Sequence, residues 1–377
     1  MTIDIHILKS TDDEKWDKYV YAHPRSTLYH LSGWKNVIQN AYGHNTYYLM
    51  AINKSGPRTV ASNPVNPTNS YIVGILPLVH LKNIFFGNSL ISIPFFDVCG
   101  LLTDDEETEK VLVNEAIKIG IRLKAKYIEL RHFEPRQWLD NVDLVPDSCS
   151  EVAHMRCVTR SHKVRMLLDL PETPQLLMNS FKSKLRSQIK KPMKENLIAK
   201  TGGEELLKDF YEVFTKNMRD LGSPVHSLKL IRGVFEEFPE NTRIVMVYKE
   251  TVPLACSLIV GFKDILENPW ASSLREYSSL NPNMLLYWKM LEYGCDNDYD
   301  YFDFGRSSPD EGTYRFKAQW GAKPNMLYWN YIATNGSNLT DEVRENSAME
   351  LAGRLWKKLP VPVTRVLGPG IRKNIGL

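Results

Sequence analysis

The sequence of 377 residues predicts a mixed α/β (α+β) protein made of two copies of one unit. Strand-like and helical segments alternate along the chain, which is typical of α/β and α+β proteins rather than of sandwiches or bundles. Two pairs of matching residues are separated by nearly the same number of positions. Pro94 and Pro269 are 175 residues apart, and Tyr127 and Tyr301 are 174 residues apart. Two independent offsets that agree predict a duplicated strand–strand–helix–strand unit.

The first copy is predicted from apolar runs and helical spacing in the first half of the chain. Tyr71–Leu81 and Leu90–Leu101 have the composition of strands. Asp104–Lys124 has apolar residues at helical spacing, and acidic residues in its first turn favour the helix dipole. Tyr127–Arg131 is predicted to be a short strand that closes the copy.

The second copy repeats this order of elements. The predicted strands Arg243–Tyr248, Pro253–Phe262 and Ile265–Ser272 precede a helix over Pro282–Cys295 and a short strand over Tyr301–Phe304. Neither half has the glycine pattern of a Rossmann or P-loop nucleotide site.

A basic segment separates the two copies. Gln175–Ile189 is predicted to be a helix that Pro192 bends or ends, and Glu204–Arg219 is predicted to be a second helix. From Trp356 onward, three prolines and three glycines among 22 residues predict an extended tail. The predicted domains are a first domain over residues 1–170, a second domain with a basic helical lead-in over 171–345, and a C-terminal helix with an extended basic tail over 346–377.

Composition and charge exclude several classes of protein. A hydrophobic share of 43% and a charged share of 24% are ordinary for a globular protein and exclude disordered, collagenous and coiled-coil chains. The net charge of +3 excludes a general nucleic-acid coat, DNA included. Residues 154–200, however, carry 11 Lys/Arg against 3 Asp/Glu. This segment is predicted to meet an anionic partner such as a phosphate or an RNA backbone, with a solvated helix face as the alternative.

No metal or secretion signal is evident. The five cysteines are far apart and form no C-x-x-C pair, which favours buried thiols in a reducing compartment. The N-terminus lacks the basic and apolar regions of a signal peptide. The longest uncharged run, Thr59–Leu81, is too polar for a spanning helix. We therefore expect a cytoplasmic protein without a metal site.

The segment Glu267–Ala322 combines aromatic, charged and glycine residues more densely than a core or a plain loop requires. Its candidates for catalysis are Lys317, Glu267 and Asp303. A lysine between aromatic rings can stabilise an oxyanion or a phosphate, and a desolvated carboxylate can accept a proton from an amine. The structural alternatives are a lysine whose stem packs on rings, a solvated carboxylate at Glu267, and an Asp303–Arg306 pair that closes a loop.

Candidate binding residues lie around these three. Arg306 and Arg186 are predicted to neutralise phosphates of the substrate. Trp270, Tyr314 and Trp320 would wall a cleft against water. The other candidates for substrate binding in this segment are Arg275, Asn283 and Phe316.

Several segments resemble the FemAB-related proteins, and in particular the subfamily associated with PEP-CTERM/exosortase gene clusters. The resemblance covers nearly the whole chain. It is carried by HLSGW at His30–Trp34, YGH at Tyr42–His44, KLRSQIKK at Lys184–Lys191, NMRDLGSPV at Asn217–Val225, NPWASSLR at Asn268–Arg275, FDFGRS at Phe302–Ser307 and GTYRFKAQWGA at Gly312–Ala322.

The resemblance implies tandem GNAT-like domains and acyl transfer to an amine. Characterised FemAB members move an amino acid from aminoacyl-tRNA to a cell-wall precursor that carries UDP or a lipid pyrophosphate. Phe316–Lys317 matches the pair whose lysine stabilises the reacting carbonyl in that family. Arg186, Arg219 and Lys35 are the counterparts nearest to its substrate contacts.

The donor, the acceptor and even catalysis stay open at this point. The segment Ser278–Asn283 lacks the glycines with which acetyltransferases hold CoA, and no long helical arm for tRNA is evident. We expect no bound cofactor, an aminoacyl-tRNA or acyl-CoA donor, and a phosphate-bearing or lipid-linked acceptor from the cell wall or envelope. Membrane contact is expected to be at most peripheral. The alternatives are an acyl-CoA-dependent N-acetyltransferase and a non-catalytic module that binds nucleotide sugars or RNA.

Overall fold

The computed structural model describes residues 3–54, 71–84, 87–140, 157–334 and 347–376. The chain forms two compact units. Unit 1 consists of Met1–His162, Met326–Arg344 and Asn374–Leu377, and unit 2 consists of Lys163–Asn325 and Glu345–Lys373. Each unit contains one mixed sheet with helices packed on it.

In residues 3–160, as far as the structure describes them, the chain forms seven strands and four α-helices. The strands are β1 (Ile3–Ile7), β2 (Asn45–Asn53), β3 (Tyr71–Asn83), β4 (Gly87–Ile91), β5 (Leu102–Thr103), β6 (Tyr127–His132) and β7 (Cys157–Arg160). The helices are α1 (Asp13–Ala22), α2 (Gly33–Tyr42), α3 (Glu106–Arg122) and the short α4 (Gln137–Asp140).

The rest of the chain forms eight strands and eight helices among the residues that the structure describes. The strands are β8 (Val164–Asp169), β9 (Leu197–Gly202), β10 (Thr242–Lys249), β11 (Val252–Phe262), β12 (Ile265–Ser273), β13 (Tyr301–Ser307), β14 (Lys323–Met326) and β15 (Tyr328–Ala333). The helices are α5 (Pro174–Ser180), α6 (Ser183–Lys194), α7 (Leu207–Leu221), α8 (Leu228–Glu237), α9 (Pro282–Asp296), α10 (Gly312–Ala318), α11 (Ser347–Trp356) and α12 (Val361–Arg372).

The two sheets repeat one topology. Unit 1 has the strand order β1-β2-β3-β4-β6-β15-β7 with β5 paired to β3, and unit 2 has β9-β10-β11-β12-β13-β8-β14. The only parallel pairs described are β4 with β6, where Ser89 lies opposite Tyr127, and β12 with β13, where Ile265 lies opposite Tyr301. These two registers differ by 176 and 174 residues, so the predicted duplication and the α/β (α+β) fold class are confirmed.

One strand of each sheet comes from outside the repeated segment. β15 lies between β6 and β7 in unit 1, and β8 lies between β13 and β14 in unit 2. Residues 164–169 therefore complete the second sheet and residues 328–333 complete the first. The predicted boundaries at 170 and 345 differ from this division, because long-range strand pairing leaves no local signal in the sequence.

Two predicted elements have different bounds in the structure. The helix predicted over Gln175–Ile189 is two helices, since Phe181 is extended and buried between them; Pro192 lies inside the last turn of α6 and does not end it. The strand predicted over Leu90–Leu101 ends at Ile91, because Ile93 and Phe95 have positive φ angles.

The tail prediction is wrong. Val361–Arg372 is a helix instead of an extended chain. Pro360 and Pro362 lie at its N-cap and in its first turn, where a proline costs no internal hydrogen bond and its fixed φ suits a helix.

The core of unit 2 lies between its sheet and helices α5, α6 and α9. Aromatic rings join these layers, since the ring of Phe181 lies 6.3 Å from Trp288 and 5.6 Å from Trp320. Four cysteines of the described chain are free thiols, whereas Cys149 lies outside the described residues. No helix in the described residues combines the length and the apolar character needed to cross a bilayer.

Candidate active site

The two parallel strands of unit 2 diverge soon after they pair. β12 and β13 are in register over three residues only, and the last pair is Glu267 opposite Asp303. Beyond that pair, β12 continues to Ser273 and β13 to Ser307 without pairing to each other. Side chains at the carboxyl ends of parallel strands are well placed to meet a ligand, so this opening is the candidate site.

A bulge in β13 lies at the mouth of the opening. The ladder between β13 and β8 shifts its register between Asp303 and Arg306. Gly305 lies within the shift and has a φ of 73°, which is accessible to glycine at little cost. Oδ1 of Asp303 accepts a hydrogen bond of 2.8 Å from the backbone N–H of Gly305 and thereby fixes the turn.

Lys317 points its ammonium at this bulge. The side chain is 8% exposed, and Nζ donates to the backbone oxygens of Gly305 at 3.0 Å and Arg306 at 2.7 Å. Lys317 lies on α10, the helix that begins at Gly312. A full positive charge is therefore held at the carboxyl end of β13.

Arg165 on β8 joins the two candidate carboxylates. Its Nε donates to Oδ2 of Asp303 at 2.6 Å, and its Nη2 lies 3.7 Å from Oε1 of Glu267. All three side chains are buried. Asp303 is thus paired with Arg165 and not with Arg306, the partner considered from the sequence.

Sequence reasoning missed Arg165, although a signal was present. The segment Val164–Asp169 is a strand of apolar residues interrupted by one arginine. A buried arginine needs a carboxylate or several carbonyl oxygens as partners. Arg165, Asp303, Gly305 and Lys317 form a continuous series of contacts that leads from the sheet interior to the ammonium.

The equivalent place in unit 1 is occupied by a guanidinium. Subtracting 174 from Asp303 and Gly305 gives Glu129 and Arg131, and Arg131 is 1% exposed. Its Nε donates to Oε1 of Glu129 at 2.8 Å, and its Nη1 donates to the backbone oxygens of Ile93 and Phe96. Unit 1 therefore keeps a buried carboxylate in an ion pair with an arginine at this position, and its parallel strands β4 and β6 likewise pair over three residues.

The predicted aromatic residues do not share one cleft. Trp320 lines a groove of about 860 Å³ whose other lining residues belong to α5, α6, β8 and the turn after α10. Glu267, Asp303 and Lys317 are not among its lining residues. Trp270 instead lies beside His226, with ring centroids 5.7 Å apart.

Tyr314 and Phe316 have a packing role in the described chain. Both are half-buried against the core of unit 2, and the ring of Phe316 lies 5.0 Å from that of Tyr287. This packing fixes α10 on the sheet and thereby fixes the stem of Lys317.

The predicted polar binding residues are spread over the two units. Arg186 is half-buried on α6, Asn283 is half-buried in the first turn of α9, and Arg275 is exposed before that helix. Arg219 holds the C-terminal segment, since its Nη1 donates to the backbone oxygen of Leu359 at 3.0 Å. Lys35 lies half-buried on α2 in unit 1.

The loop before α9 gives little support for a CoA pyrophosphate. Asn281 is left-handed, and its backbone N–H bonds to the oxygen of Ser278 at 3.1 Å. Pro282 has no N–H, and the N–H of Met284 bonds to the oxygen of Asn281 at 3.0 Å. In unit 1 the corresponding helix α3 begins with three acidic residues, which repel an anion.

Comparisons with known proteins agree with this topology. Residues 179–318 match the family described as Acetyltransferase (GNAT) domain. No curated protein matches the chain.

Three solved structures are similar to the chain over most of its length. FemX has a TM-score of 0.63 at 15% identity and covers 89% of this chain and 98% of its own. L-PGS from Bacillus licheniformis has a TM-score of 0.55 at 11% identity, and the match covers 94% of this chain and 100% of L-PGS. A tandem GNAT protein from the clavulanic acid biosynthesis pathway has a TM-score of 0.51 at 11% identity, and the match covers 89% of this chain and 100% of that protein. The chain therefore has a tandem GNAT-like fold related to that of FemX.

Proposed function

We propose that this protein transfers an aminoacyl or other acyl group to an amine of a phosphate-bearing acceptor, and that unit 2 carries the reaction. The observation that carries the proposal is the ammonium of Lys317, which two backbone oxygens hold where β12 and β13 diverge. The match to a GNAT domain over residues 179–318 and the fold shared with FemX support acyl transfer as the reaction class.

The proposed step follows from the chemistry of an ester or thioester. The acceptor amine attacks the carbonyl carbon, and the new C–N bond forms as the carbonyl oxygen becomes an oxyanion beside Lys317. The tetrahedral species then collapses, the C–O or C–S bond breaks, and the amine proton ends on the leaving alcohol or thiol. Lys317 stabilises the oxyanion by its charge.

Of the two carboxylates, we assign the proton transfer to Glu267. Asp303 is held tightly, with one oxygen on Arg165 at 2.6 Å and the other on the N–H of Gly305 at 2.8 Å. The contact of Glu267 with Arg165 is looser, at 3.7 Å. Asp303 is therefore a positioning residue that fixes the bulge, and Glu267 relays the proton from the amine to the leaving group.

The basic face of α6 supports a phosphate-bearing acceptor. Arg186 is half-buried on this helix, and five lysines on or beside it are exposed: Lys182, Lys184, Lys190, Lys191 and Lys194. Arg186 and Arg306 are the cations that we assign to the acceptor phosphates. A link to PEP-CTERM gene clusters and a cytoplasmic location stay predictions.

The loop before α9 favours an aminoacyl ester over acyl-CoA as the donor. The backbone N–H groups of Asn281 and Met284 are used within the turn, and Pro282 offers none, so few donors face a CoA pyrophosphate. Acyl-CoA remains the second candidate, because residues 179–318 match a family described as acetyltransferases.

Separate incubation of the protein with labelled aminoacyl-tRNA and labelled acyl-CoA tests both donors. We expect transfer to an amine acceptor, or hydrolysis of the donor, with aminoacyl-tRNA only. Turnover of acyl-CoA but not of aminoacyl-tRNA would show that acyl-CoA is the donor. Binding of a nucleotide-linked acceptor without turnover of either donor, unchanged by loss of Lys317, would make the protein a binding module.

A further inference from the structure

The two C-terminal helices expose apolar side chains at high density. In the part of the chain that the structure describes, fifteen large hydrophobic residues are exposed, and five of them fall between residues 351 and 367. They are Leu351, Leu355, Val363, Val366 and Leu367, and Val366 is 76% exposed. We call these five residues the C-terminal surface.

Helix α12 has its apolar face turned outward. Thr364 and Gly368, one turn apart, are buried, and a Cβ added to Gly368 would lie 3.0 Å from the backbone nitrogen of Val225. Val363, Val366 and Leu367 occupy positions i, i+3 and i+4 on another face of the same helix and are exposed. A surface helix normally exposes polar side chains, so this pattern is the reverse of the usual one.

Cations surround the apolar residues. Residues 350–373 contain six Lys/Arg and one acidic residue, Glu350, which gives a net charge of +5 against +3 for the whole chain. Arg354, Lys357, Lys358 and Arg365 are exposed. Arg354 lies on α11 three residues after Leu351, and Lys358 follows the end of that helix. An apolar face bordered by cations is complementary to a surface that is negative outside and apolar within.

The segment is held firmly to unit 2. Arg219 donates to the backbone oxygen of Leu359 at 3.0 Å, and Nε of Arg372 donates to Nε2 of His226 at 3.1 Å. The turn between the two helices and the end of α12 are thus anchored, and the five apolar side chains of the C-terminal surface are exposed in this arrangement.

We propose that the C-terminal surface docks on an anionic lipid bilayer. Its leucine and valine side chains enter the boundary between headgroups and acyl chains, while the long lysine and arginine side chains reach the phosphates. Each cation near an anionic membrane surface adds to the affinity, and salt screens this contribution. The docking is independent of the acyl transfer proposed for unit 2.

Co-sedimentation of the full chain with vesicles tests the proposal. We expect binding to phosphatidylcholine vesicles that contain phosphatidylserine, weak binding to phosphatidylcholine alone, and loss of binding at high salt. The double variant Val366→Ser with Leu367→Ser should weaken binding about tenfold or more. Lys357→Gln with Lys358→Gln should weaken it at low salt and reduce its salt dependence.

Matched variants keep the test decisive. Ile198→Ser with Val252→Ser removes two other exposed apolar side chains of unit 2 and should bind vesicles like the unmodified protein. Lys190→Gln with Lys191→Gln removes charge from α6, and the proposal fails if this variant alone abolishes binding. It also fails if the C-terminal variants bind vesicles normally, or if they change only self-association in sedimentation velocity, which would identify a contact between copies. Thermal unfolding confirms that each variant is folded.

Discussion

Lys317 is a buried cation whose position suits the catalytic role that we propose for it. Two backbone oxygens hold its ammonium at 3.0 and 2.7 Å, and the packing of Phe316 against Tyr287 fixes the helix that carries it. Carbonyl oxygens carry partial charges only, so they orient the ammonium without cancelling its full charge. A donor fixed in advance stabilises an oxyanion without the cost of reorganisation during the reaction.

Replacing Lys317 with methionine tests this role. Lys317→Met keeps the apolar stem and removes the charge, so kcat should fall by about 10²- to 10³-fold, or roughly 3–4 kcal/mol. Lys317→Arg keeps the charge and should retain part of the activity. As a control, Lys289→Met removes an amine that contacts Glu292 on α9 and should leave turnover within a few fold. Equal turnover in Lys317→Met and the unmodified protein would remove Lys317 from the mechanism.

The two buried carboxylates should respond differently to neutralisation. Asp303→Asn breaks the 2.6 Å pair with Arg165, and a buried pair broken in this way costs about 3–5 kcal/mol of unfolding free energy. Glu267→Gln should lower kcat because the proposed proton acceptor is lost, with a smaller loss of stability because the contact of Glu267 with Arg165 is 3.7 Å.

Urea unfolding and steady-state kinetics separate these effects. Asp169→Asn is the control, since Asp169 is exposed on the same strand as Arg165 and pairs with Lys323; its loss should cost less than about 1 kcal/mol. A kinetic defect in Asp303→Asn without a loss of stability would contradict a positioning role.

At the scale of elements, the bulge in β13 determines where the site lies. The register shift between Asp303 and Arg306 turns two carbonyl groups toward α10, and the end of pairing at Glu267 opens the sheet beside them. Gly305 makes this geometry possible because its φ is 73°.

Gly305→Ala should strain the bulge. A side chain in this left-handed conformation costs about 1–2 kcal/mol, and relaxation of the backbone would move the oxygens that hold Lys317. We expect a lower melting temperature and a loss of kcat larger than that of KM. Gly312→Ala on the neighbouring helix is the control, because a Cβ there meets nothing within 4 Å. If both variants retain full activity, the bulge does not position Lys317.

The sequence predicted the repeated strands and helices of the two copies, but not the contacts among them. Apolar runs and helical spacing predicted β3, α3, β6, α9 and strands β10 to β13 to within a few residues, because these patterns are local, whereas β1, β2, β8 and β15 were not predicted. The tail was misread because prolines in the first turn of a helix have the same composition as prolines in an extended chain.

The site required three-dimensional information. Glu267 and Asp303 were candidates from their positions, yet their shared partner Arg165 lies 138 residues before Asp303 in the chain. Trp270 and Trp320 were expected in one cleft because they share a segment rich in aromatic residues. Strand direction and helix packing place them in different surroundings, which composition alone does not encode.

At the scale of the whole molecule, buried neutral histidines make stability depend on pH. Burial, with a further contribution from the Arg136 charge, lowers the pKa of His132 to about 3. Burial also lowers the pKa of His226 well below its usual value, with the Arg372 charge adding to the effect. Both histidines are therefore neutral in the folded protein at neutral pH.

Stability should fall as the pH falls below the unfolded histidine pKa of about 6.5. In that range the unfolded chain binds protons that the folded protein does not, so each histidine lowers the unfolding free energy by up to about 1.4 kcal/mol per pH unit. For His132 this window extends down to about pH 3. Urea unfolding at several pH values measures the slope.

His132→Gln provides the comparison for this slope. The variant should be less stable at neutral pH, because Leu101 N–H and Asn330 lose their partner, but its stability should depend less on pH. His6→Gln changes an exposed histidine and should leave the slope as it is. An unchanged slope in His132→Gln would show that another group controls the acid sensitivity.

The positions of β8 in the second sheet and β15 in the first limit where this protein can be cut into fragments. A fragment that stops at residue 170 would keep β8 without its sheet and would lose β15, on which β7 depends for pairing. A fragment over 171–345 would lack β8 and leave β13 as an open edge that invites aggregation. A cut at residue 170 therefore leaves neither fragment with a complete sheet, and any division of the chain has to keep β8 with the second sheet and β15 with the first.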